Sequence, residues 1–285
     1  MTGVEGAGTL YVVSTPIGNM GDFSFRAVDV LKSVNLILAE DTRHTRNLLD
    51  RYEIKTAATS YHEHNEAKTT PSLVTRLQRG ESLALVSDAG TPLISDPGAR
   101  LVRAAIAAGI DVVAIPGPSA LLSALVVSGL DADRFTFFGF LTRTGSDRRA
   151  ALDEISSMKH TAVLYEAPNR LVATLGELER RGGGARPAVV AREMTKQFEE
   201  VKRGTVSELK AYYEDKPPRG EVVLVIAAAV ELAPTDEVVQ TRVNALRASG
   251  MSARDAATAV AAELGVSKRV AYRLAQRATK AGEEE

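Results

Sequence analysis

Short, continuous apolar runs alternate along the chain with segments whose apolar residues recur at helical spacing. The runs have the usual length of a strand, and they are Leu10–Ser14, Leu36–Ala39, Leu83–Ser87, Val112–Ile115, Phe135–Phe138, Ala162–Tyr165, Ala188–Ala191 and Val222–Ala227. The helical segments are Phe25–Ser33, Pro97–Ala108, Ser119–Gly129, Ala150–Met158, Asn169–Arg180 and Val206–Tyr213. Non-alternating strands separated by helices are typical of a largely parallel sheet covered on both faces, so we expect an α/β fold.

Loops rich in Gly and Pro divide this pattern into units. A first α/β layer closes near Pro116–Pro118, and the strands after Phe135 form a second unit that ends near Ala229. Residues 231–237, which include Pro234, are typical of a linker. We therefore expect two α/β domains, over residues 1–117 and 118–230, and a small C-terminal domain over residues 236–285.

The C-terminal segment carries two closely spaced sets of helix signals. Ser252 is placed to cap a helix over Ala253–Leu264, and Gly265 suits the position that ends it. Ser267 can cap a second helix over Lys268–Ala281. Two helices joined by so short a turn predict a helix-turn-helix-like domain.

The second of these helices is basic, although the chain as a whole is not. Between Val266 and Lys280 there are five bases and no acid. Arg269, Arg273 and Arg277 follow one another at four-residue intervals and therefore share one helix face.

The overall charge balance and the missing cysteines exclude several classes of protein. The chain has 285 residues with 35 Lys+Arg and 36 Asp+Glu, a formal net charge of −1, which argues against a surface that is basic throughout. It has no Cys, which excludes disulfides, thiolate zinc sites, iron–sulfur clusters and cysteine nucleophiles. Neither a signal peptide nor a membrane-spanning run is recognisable, so we expect a cytoplasmic protein with no membrane partner.

Four loops that follow strands are unusually rich in Gly, Pro and Asp. Because open α/β sheets bind ligands at the carboxyl ends of their strands, these loops predict one ligand crevice. They span residues 14–19, 87–98, 116–120 and 165–170. We expect Asp96 to cap a helix that starts at Pro97, and Gly117 or Pro118 to open the next. The usual glycine-rich nucleotide motifs are missing, so the ligand is neither a dinucleotide nor a nucleoside triphosphate bound in the familiar way.

Five segments, in this order, closely resemble those of one enzyme family. They are Thr15–Asn19, Ala39–Arg43, Ser87–Gly98, Pro116–Ala120 and Ala191–Lys196. The family is that of the tetrapyrrole-methylase-like (class III) S-adenosylmethionine methyltransferases. More narrowly, the segments are similar to its branch that modifies ribosomal RNA of the small subunit. The resemblance covers nearly the whole chain, including the helical tail.

The resemblance implies a fold and an activity. The fold would be two α/β domains of the tetrapyrrole-methylase type with S-adenosylmethionine in a cleft between them. The activity would be 2′-O-methylation of the ribose of a cytidine in the decoding region of 16S rRNA, on the small ribosomal subunit, by a homodimer. Two alternatives stay open: methylation of a small tetrapyrrole-like substrate, against which the basic tail argues, and a ligand-sensing regulator that binds DNA.

The resemblance also implies which positions contact the cofactor. They lie in or beside the predicted strand-end loops and are Leu10, Pro16, Asp88, Gly90, Thr91, Ser119, Ala120, Tyr165 and Ala191. No catalytic metal is expected, although His62, His64 and Glu66 would share one face if they formed a strand.

Methyl transfer to a hydroxyl is helped by a base that removes its proton. We consider Lys196, Glu193 and Glu166 as catalytic candidates; partial burial would lower the pKa of Lys196 enough for this role. A phosphate contact by Lys196 and a structural ion pair of Glu166 with Arg170 stay open as alternatives. So does an ion pair between Arg192 and Glu193.

Several arginines are candidates for binding RNA phosphates. Those of the tail are Arg269, Arg273 and Arg277, and those after the predicted second strand are Arg43 and Arg46. Arg143, Arg148 and Arg149 are expected on a loop after Phe140, where they would serve likewise. For the arginines after the second strand and for those after Phe140, the alternative is that they only form a solvent-exposed charged surface.

Overall fold

The computed structural model describes residues 6–229 and 235–281, and their side chains as far as residue 276. The chain divides into two compact units, Met1–Ala229 and Val230–Glu285. The first unit contains both sheets.

The first sheet is entirely parallel. Its strands are β1 (Thr9–Val13), β2 (Leu36–Ala39), β3 (Ala58–Ser60), β4 (Leu83–Val86) and β5 (Asp111–Ile115), in the order β3-β2-β4-β1-β5. Its helices are α1 (Phe25–Ser33), α2 (Thr42–Arg51), α3 (Glu66–Gln78) and α4 (Ala99–Ala107). Separate apolar clusters cover the two faces of this sheet, which confirms the predicted layering.

The second sheet is mixed, so the prediction of a largely parallel arrangement was wrong here. Its strands are β6 (Phe135–Phe140), β7 (Thr161–Glu166), β8 (Pro187–Arg192), β9 (Glu200–Thr205) and β10 (Val222–Ile226), in the order β6-β7-β10-β8-β9. Only β6 and β7 are parallel neighbours; β10 runs antiparallel to both β7 and β8. An apolar run buried on both faces does not reveal strand direction.

Helices of the second sheet cover its two faces. They are α5 (Ala120–Ser128), α6 (Ser146–Ser157), α7 (Leu171–Leu178) and α8 (Val206–Asp215). Helix α5 follows the first sheet in sequence but packs Leu121, Ala124 and Leu125 against the second sheet, next to Val163 and Val189. The chain therefore crosses between the sheets at residues 116–119.

Two local predictions at the loops were wrong. Helix α4 begins after Gly98, not at Pro97, so Asp96 lies in the preceding loop and caps no helix. Ser119 caps α5 by accepting a hydrogen bond from the N–H of Leu122, in place of Gly117 or Pro118. His62 and His64 lie between β3 and α3 and not on a strand, so the condition under which they would share a strand face is not met.

The second unit contains three helices in its described part: α9 (Asp236–Ala248), α10 (Ala253–Leu264) and α11 (Lys268–Ala281). The last two have the predicted bounds, with Ser252 as cap and Gly265 in the left-handed conformation. Helix α9 was not predicted. It completes a small core with Val243, Val260 and Leu274. Among the described helices of both units, none is both long and apolar enough to span a membrane.

Candidate functional site

A cavity of about 350 Å³ lies between the strand-end loops of the two sheets. This size falls within the range of small-molecule sites. Its lining from the first-sheet side comprises Ile17, the loop after β4 and the start of α5; the second-sheet side contributes Phe140, residues 165–168 and residues 220–223. The loops that the sequence singled out therefore converge.

Six of the nine predicted cofactor positions line this cavity: Asp88, Gly90, Thr91, Ser119, Ala120 and Tyr165. The structure does not bring the other three to it. Leu10 and Ala191 are fully buried in the cores of the first and second sheet. Pro16 lines a separate small cavity beside α2, together with His44.

Hydrogen bonds hold the first-sheet loops in one arrangement. Thr15 and Gly90 exchange two backbone hydrogen bonds, of 2.8 and 3.1 Å. The hydroxyl of Thr91 donates to the carbonyl of Pro118 at 3.2 Å and lies 3.0 Å from the hydroxyl of Ser14. Thr91 therefore braces the cavity wall as well as lining it.

Four left-handed residues border the cavity region. Leu93 and Ser95, in the loop after β4, have φ angles of 73° and 68°; Glu193 and Thr195, after β8, have 51° and 66°. Such angles are costly for residues other than glycine and are concentrated at functional sites. The second of these loops is joined to the first sheet, because the N–H of Asn19 donates to Thr195 Oγ1 at 3.1 Å.

The first-sheet side of the cavity carries carboxylates that have no Lys or Arg within 4 Å among the described residues. Burial and then the charge of Glu40 raise the pKa of Asp96 to about 6, with a smaller contribution from Asp88. Burial and Asp88 likewise raise the pKa of Glu40, which His62 partly offsets. The N–H of Asp41 donates to Asp88 Oδ1 at 3.0 Å. Asp96 thus titrates close to neutral pH at the cavity surface.

Lys196 is held between two carboxylates, contrary to the prediction that burial would make it a base. Its Nζ lies 2.9 Å from Glu193 Oε1 and 3.2 Å from Glu221 Oε2. Burial lowers the pKa of Lys196, but these hydrogen bonds and charges outweigh it and raise the pKa above the usual value. Neither Lys196 nor Glu193 lines the cavity, whereas Glu221 does.

The backbone conformation next to Glu221 leaves room for the ion-paired group of Glu193, Lys196 and Glu221. Gly220 has a φ angle of 80°, and a Cβ there would overlap the carboxyl group of Glu193. The N–H of Glu221 donates to Glu193 Oε1 at 3.0 Å. The hydrogen bond from this N–H and that from Lys196 lower the pKa of Glu193, so it is a weak base.

The side chain of Glu166, one of the residues that line the cavity, is fully buried and hydrogen-bonded, which favours the ion-pair alternative over the catalytic role. Its Oε1 lies 3.2 Å from Arg170 Nε and accepts the N–H of Ala167; its Oε2 accepts the hydroxyl of Thr174 at 2.5 Å. Arg148 lies 4.0 Å away and also donates to Thr174. These contacts agree with the alternative hypothesis of a structural ion pair between Glu166 and Arg170.

The same contacts correct the placement of Arg148, which is buried in α6 and not on an open loop. Arg143 and Arg149 are exposed. The other predicted RNA contacts that are described are exposed as well: Arg43 pairs with Asp41, Arg46 with Asp50 and, in the tail, Arg273 with Asp236. Arg269 is exposed, and the side chain of Arg277 lies outside the described residues.

The histidine pair does not form a metal site of the usual kind. The rings of His62 and His64 are 5.9 Å apart in a turn. Among the described residues, no three His, Asp or Glu side chains are grouped so that they would hold a metal ion.

Two acids that line the cavity, Asp96 and Glu221, were not identified from the sequence. Asp96 was interpreted as a helix cap, and only its burial beside Glu40 and Asp88 distinguishes it from the other acids of its loop. Glu221 belongs to none of the recognised segments; it reaches Lys196 because β10 lies beside β8 in the sheet.

Comparisons with known proteins agree with this architecture. The family model described as Tetrapyrrole (Corrin/Porphyrin) Methylases matches residues 9–210. The chain is 46% identical over 270 residues to Ribosomal RNA small subunit methyltransferase I of Synechocystis sp. strain PCC 6803, covering 94% of this chain and 97% of the relative. It is 43% identical over 273 residues to the protein of the same name in Pseudomonas aeruginosa, covering 94% and 97%.

Solved structures with this fold include more distant proteins. Diphthine synthase has a TM-score of 0.60 at 14% identity and covers 77% of this chain and 89% of its own. Uroporphyrin-III C-methyltransferase of Thermus thermophilus, in complex with S-adenosyl homocysteine, has a TM-score of 0.56 at 17% identity and covers 79% and 99%. At these identities the likeness shows the fold alone. The chain belongs to the tetrapyrrole methylase family and, within it, to the family of the small-subunit ribosomal RNA methyltransferase I proteins.

Proposed function

We propose that the chain is an S-adenosylmethionine-dependent methyltransferase that modifies the ribose 2′-hydroxyl of a cytidine in the decoding region of 16S rRNA. The observation that carries the proposal is the lining of the 350 Å³ cavity, which contains carboxylates and hydroxyls but no Lys or Arg among the described residues. Such a lining suits a cationic ligand without phosphate, and S-adenosylmethionine is one.

The residues present fit the parts of that cofactor. The acidic first-sheet side, with Asp88 and Asp96, complements a sulfonium and an amino group. The N-terminus of α5 faces the cavity at Ser119 and Ala120, and the positive end of a helix dipole suits a carboxylate. When bound, S-adenosylmethionine supplies an electrophilic methyl group.

The substrate follows from the relatives and from the tail. The relatives are named for the small-subunit ribosomal RNA, and such a partner is found in the cytoplasm. The exposed Arg269 of α11 and the exposed Arg43 and Arg46 of α2 provide cations for phosphates, with Arg273 and Arg277 on the same helix face as Arg269. A small tetrapyrrole-like substrate would leave this tail without a role, and a DNA-binding regulator would leave the cavity without one.

The chemistry needs a group that accepts the proton of the ribose hydroxyl, and Asp96 is the best placed. It lines the cavity, has no cationic partner among the described residues, and has a pKa of about 6, so it is ionised and still basic at pH 7. Lys196 is protonated and Glu166 is enclosed, so they position the second-sheet loops instead. Apolar neighbours such as Ile17 and Val223 exclude water.

The protein is proposed to work as a homodimer, and α5 supports this reading. This helix is apolar on all sides, yet Leu122 and Val126 are 51% and 72% exposed. An apolar helix with an uncovered side is typical of a subunit interface. Val126→Glu should convert the protein into a monomer in light scattering, whereas an unchanged mass would contradict an interface on α5.

The test of the activity uses labelled S-adenosylmethionine and small ribosomal subunits that lack the modification. Transfer of one methyl group to the ribose of a decoding-region cytidine, mapped by mass spectrometry of RNA fragments, is the expected result. Methylation of a base, of another RNA or of a tetrapyrrole in place of 16S rRNA would contradict it.

A further inference from the structure

A second cavity, of about 430 Å³, lies beside the first. The two cavities share Gly220 in their linings, and the ion-paired group Glu193–Lys196–Glu221 separates them: Glu221 lines the first and Glu193 the second. The lining of the second cavity includes Arg192, Glu193, Phe198, Glu200, Lys216 and Arg219.

The free charge of this cavity is positive. Its two carboxylates are neutralised, since Glu193 pairs with Lys196, and Glu200 with Arg192. Lys216 and Arg219, at the rim, have no carboxylate within 4 Å in the described part of the chain. The Nζ of Lys216 lies 5.3 Å from the centre of the Tyr212 ring and that of Lys202 lies 4.2 Å from it, so this ring holds two ammonium groups near the cavity.

One aromatic ring of the cavity is available to a ligand. Phe198 is 67% exposed and, among the described residues, stacks on no other ring. It stands on the loop between β8 and β9, the same loop that contains Glu193 and Lys196. An exposed ring beside unpaired cations is the combination that binds single-stranded nucleic acid, because a base stacks on the ring and a phosphate pairs with the cations.

We propose that the second cavity binds the nucleotide next to the target in the RNA strand, with its base on Phe198 and its phosphate at Lys216 and Arg219. This proposal rests on the proposed function. The neighbouring nucleotide is covalently attached to the ribose in the first cavity, and the two cavities are close enough to share Gly220 in their linings. The second cavity would then select single-stranded RNA and hold the target ribose in place.

The first test compares substitutions in the cavity with the same substitutions elsewhere. Phe198→Ala should lower kcat/KM for undermodified small subunits roughly tenfold, the usual effect of losing one stacked base. The double variant Lys216→Glu and Arg219→Glu should lower it further and should reduce its dependence on salt. Phe25→Ala and Lys32→Glu, on the exposed face of α1, are the matched controls and should change neither value. The KM for S-adenosylmethionine should stay constant in all four variants.

The second test identifies the occupant. With photoreactive benzoylphenylalanine in place of Phe198, irradiation of the complex with the small subunit should give a crosslink to 16S rRNA within a few nucleotides of the methylated cytidine. A crosslink to a ribosomal protein, or wild-type kinetics of the cavity variants, would overturn the proposal. If the wild-type protein itself does not methylate the subunits, the proposed function fails instead, so the two failures are distinguishable.

Discussion

The two walls of the first cavity both carry carboxylates, but these differ in their partners. On the first-sheet side, Asp88 and Asp96 line the cavity, and the charge of Glu40 acts on Asp96. None of these three acids has a Lys or Arg within 4 Å among the described residues, and the pKa values of Glu40 and Asp96 are raised. On the second-sheet wall, Glu166 is paired with Arg170, and Glu221 with Lys196.

Under the proposed function, we infer that the acids without a cation take part in the chemistry and that the paired acids hold the structure. Burying a carboxylate without a cation destabilises the fold, and such an arrangement is typical of sites where the group itself is needed. A carboxylate that is paired and fully hydrogen-bonded is a poor base, but its removal leaves an uncompensated cation. The following predictions test the contrast between the two walls, from the largest expected effect to the smallest.

Replacing Asp96 by Asn should reduce methyl transfer most, by about two to four orders of magnitude, because the proton acceptor is lost. In the wild type, kcat/KM should rise with pH through the Asp96 pKa of about 6, since the base acts only when it is ionised. The variant should lose this rise also at saturating S-adenosylmethionine, which separates the loss of the base from any loss of cofactor affinity measured by calorimetry. Asp29→Asn, on the exposed face of α1, is the control; a D96N enzyme with wild-type turnover would contradict the assignment.

Replacing Glu166 by Ala should destabilise the protein by about 3 kcal/mol, because Arg170 and Arg148 would be left without their buried carboxylate. Urea unfolding followed by circular dichroism measures this, with the exposed Glu154→Ala of α6 as the control. If the variant is as stable as the wild type and only turnover falls, Glu166 belongs to the chemistry after all.

The Asp96→Asn variant should be more stable than the wild type at pH 8. Because the folded-state pKa of about 6 lies above the ordinary value of 3.8, the folded protein binds more protons between these values, and stability falls as the pH rises through them. Partial exposure reduces the effect to about 1–2 kcal/mol. The gain should vanish below pH 4; a variant that is less stable at pH 8 would show that Asp96 is a structural acid.

Replacing Lys196 by Met should cost about 1 kcal/mol, since its ion pairs are partly exposed. The kcat at saturating substrates should change less than threefold, because Lys196 stays protonated and lies outside the cavity lining. The KM for small subunits should rise, because Glu193 would face the second cavity without its cation. A hundredfold loss of kcat would restore Lys196 as a catalytic residue.

Much of the fold was predictable from local patterns, and the parts that were missed have physical causes. The two unpredicted strands, Ala58–Ser60 and Glu200–Thr205, lie at the edges of their sheets. Because an edge strand is less buried than a central one, these strands lack the continuous apolar run by which the other strands were predicted. Helix α3 contains Pro71, which argues against a helix in sequence. The antiparallel direction of β10 depends on its neighbours and not on its composition.

By itself, the sequence determined the α/β class, the helical tail with its caps, and the loops that converge on the cavity, because these depend on local periodicity and turn chemistry. It also contained the motifs that indicated the family. Only the tertiary structure showed which acids of the described residues are buried without a cation and which are ion-paired. Asp96, Glu166 and Glu193 are similar acids near strand ends. In the folded protein, burial raises the pKa of Asp96, whereas hydrogen bonds from the Glu221 N–H and from Lys196 lower that of Glu193. Glu166 is enclosed by Arg170 and Thr174.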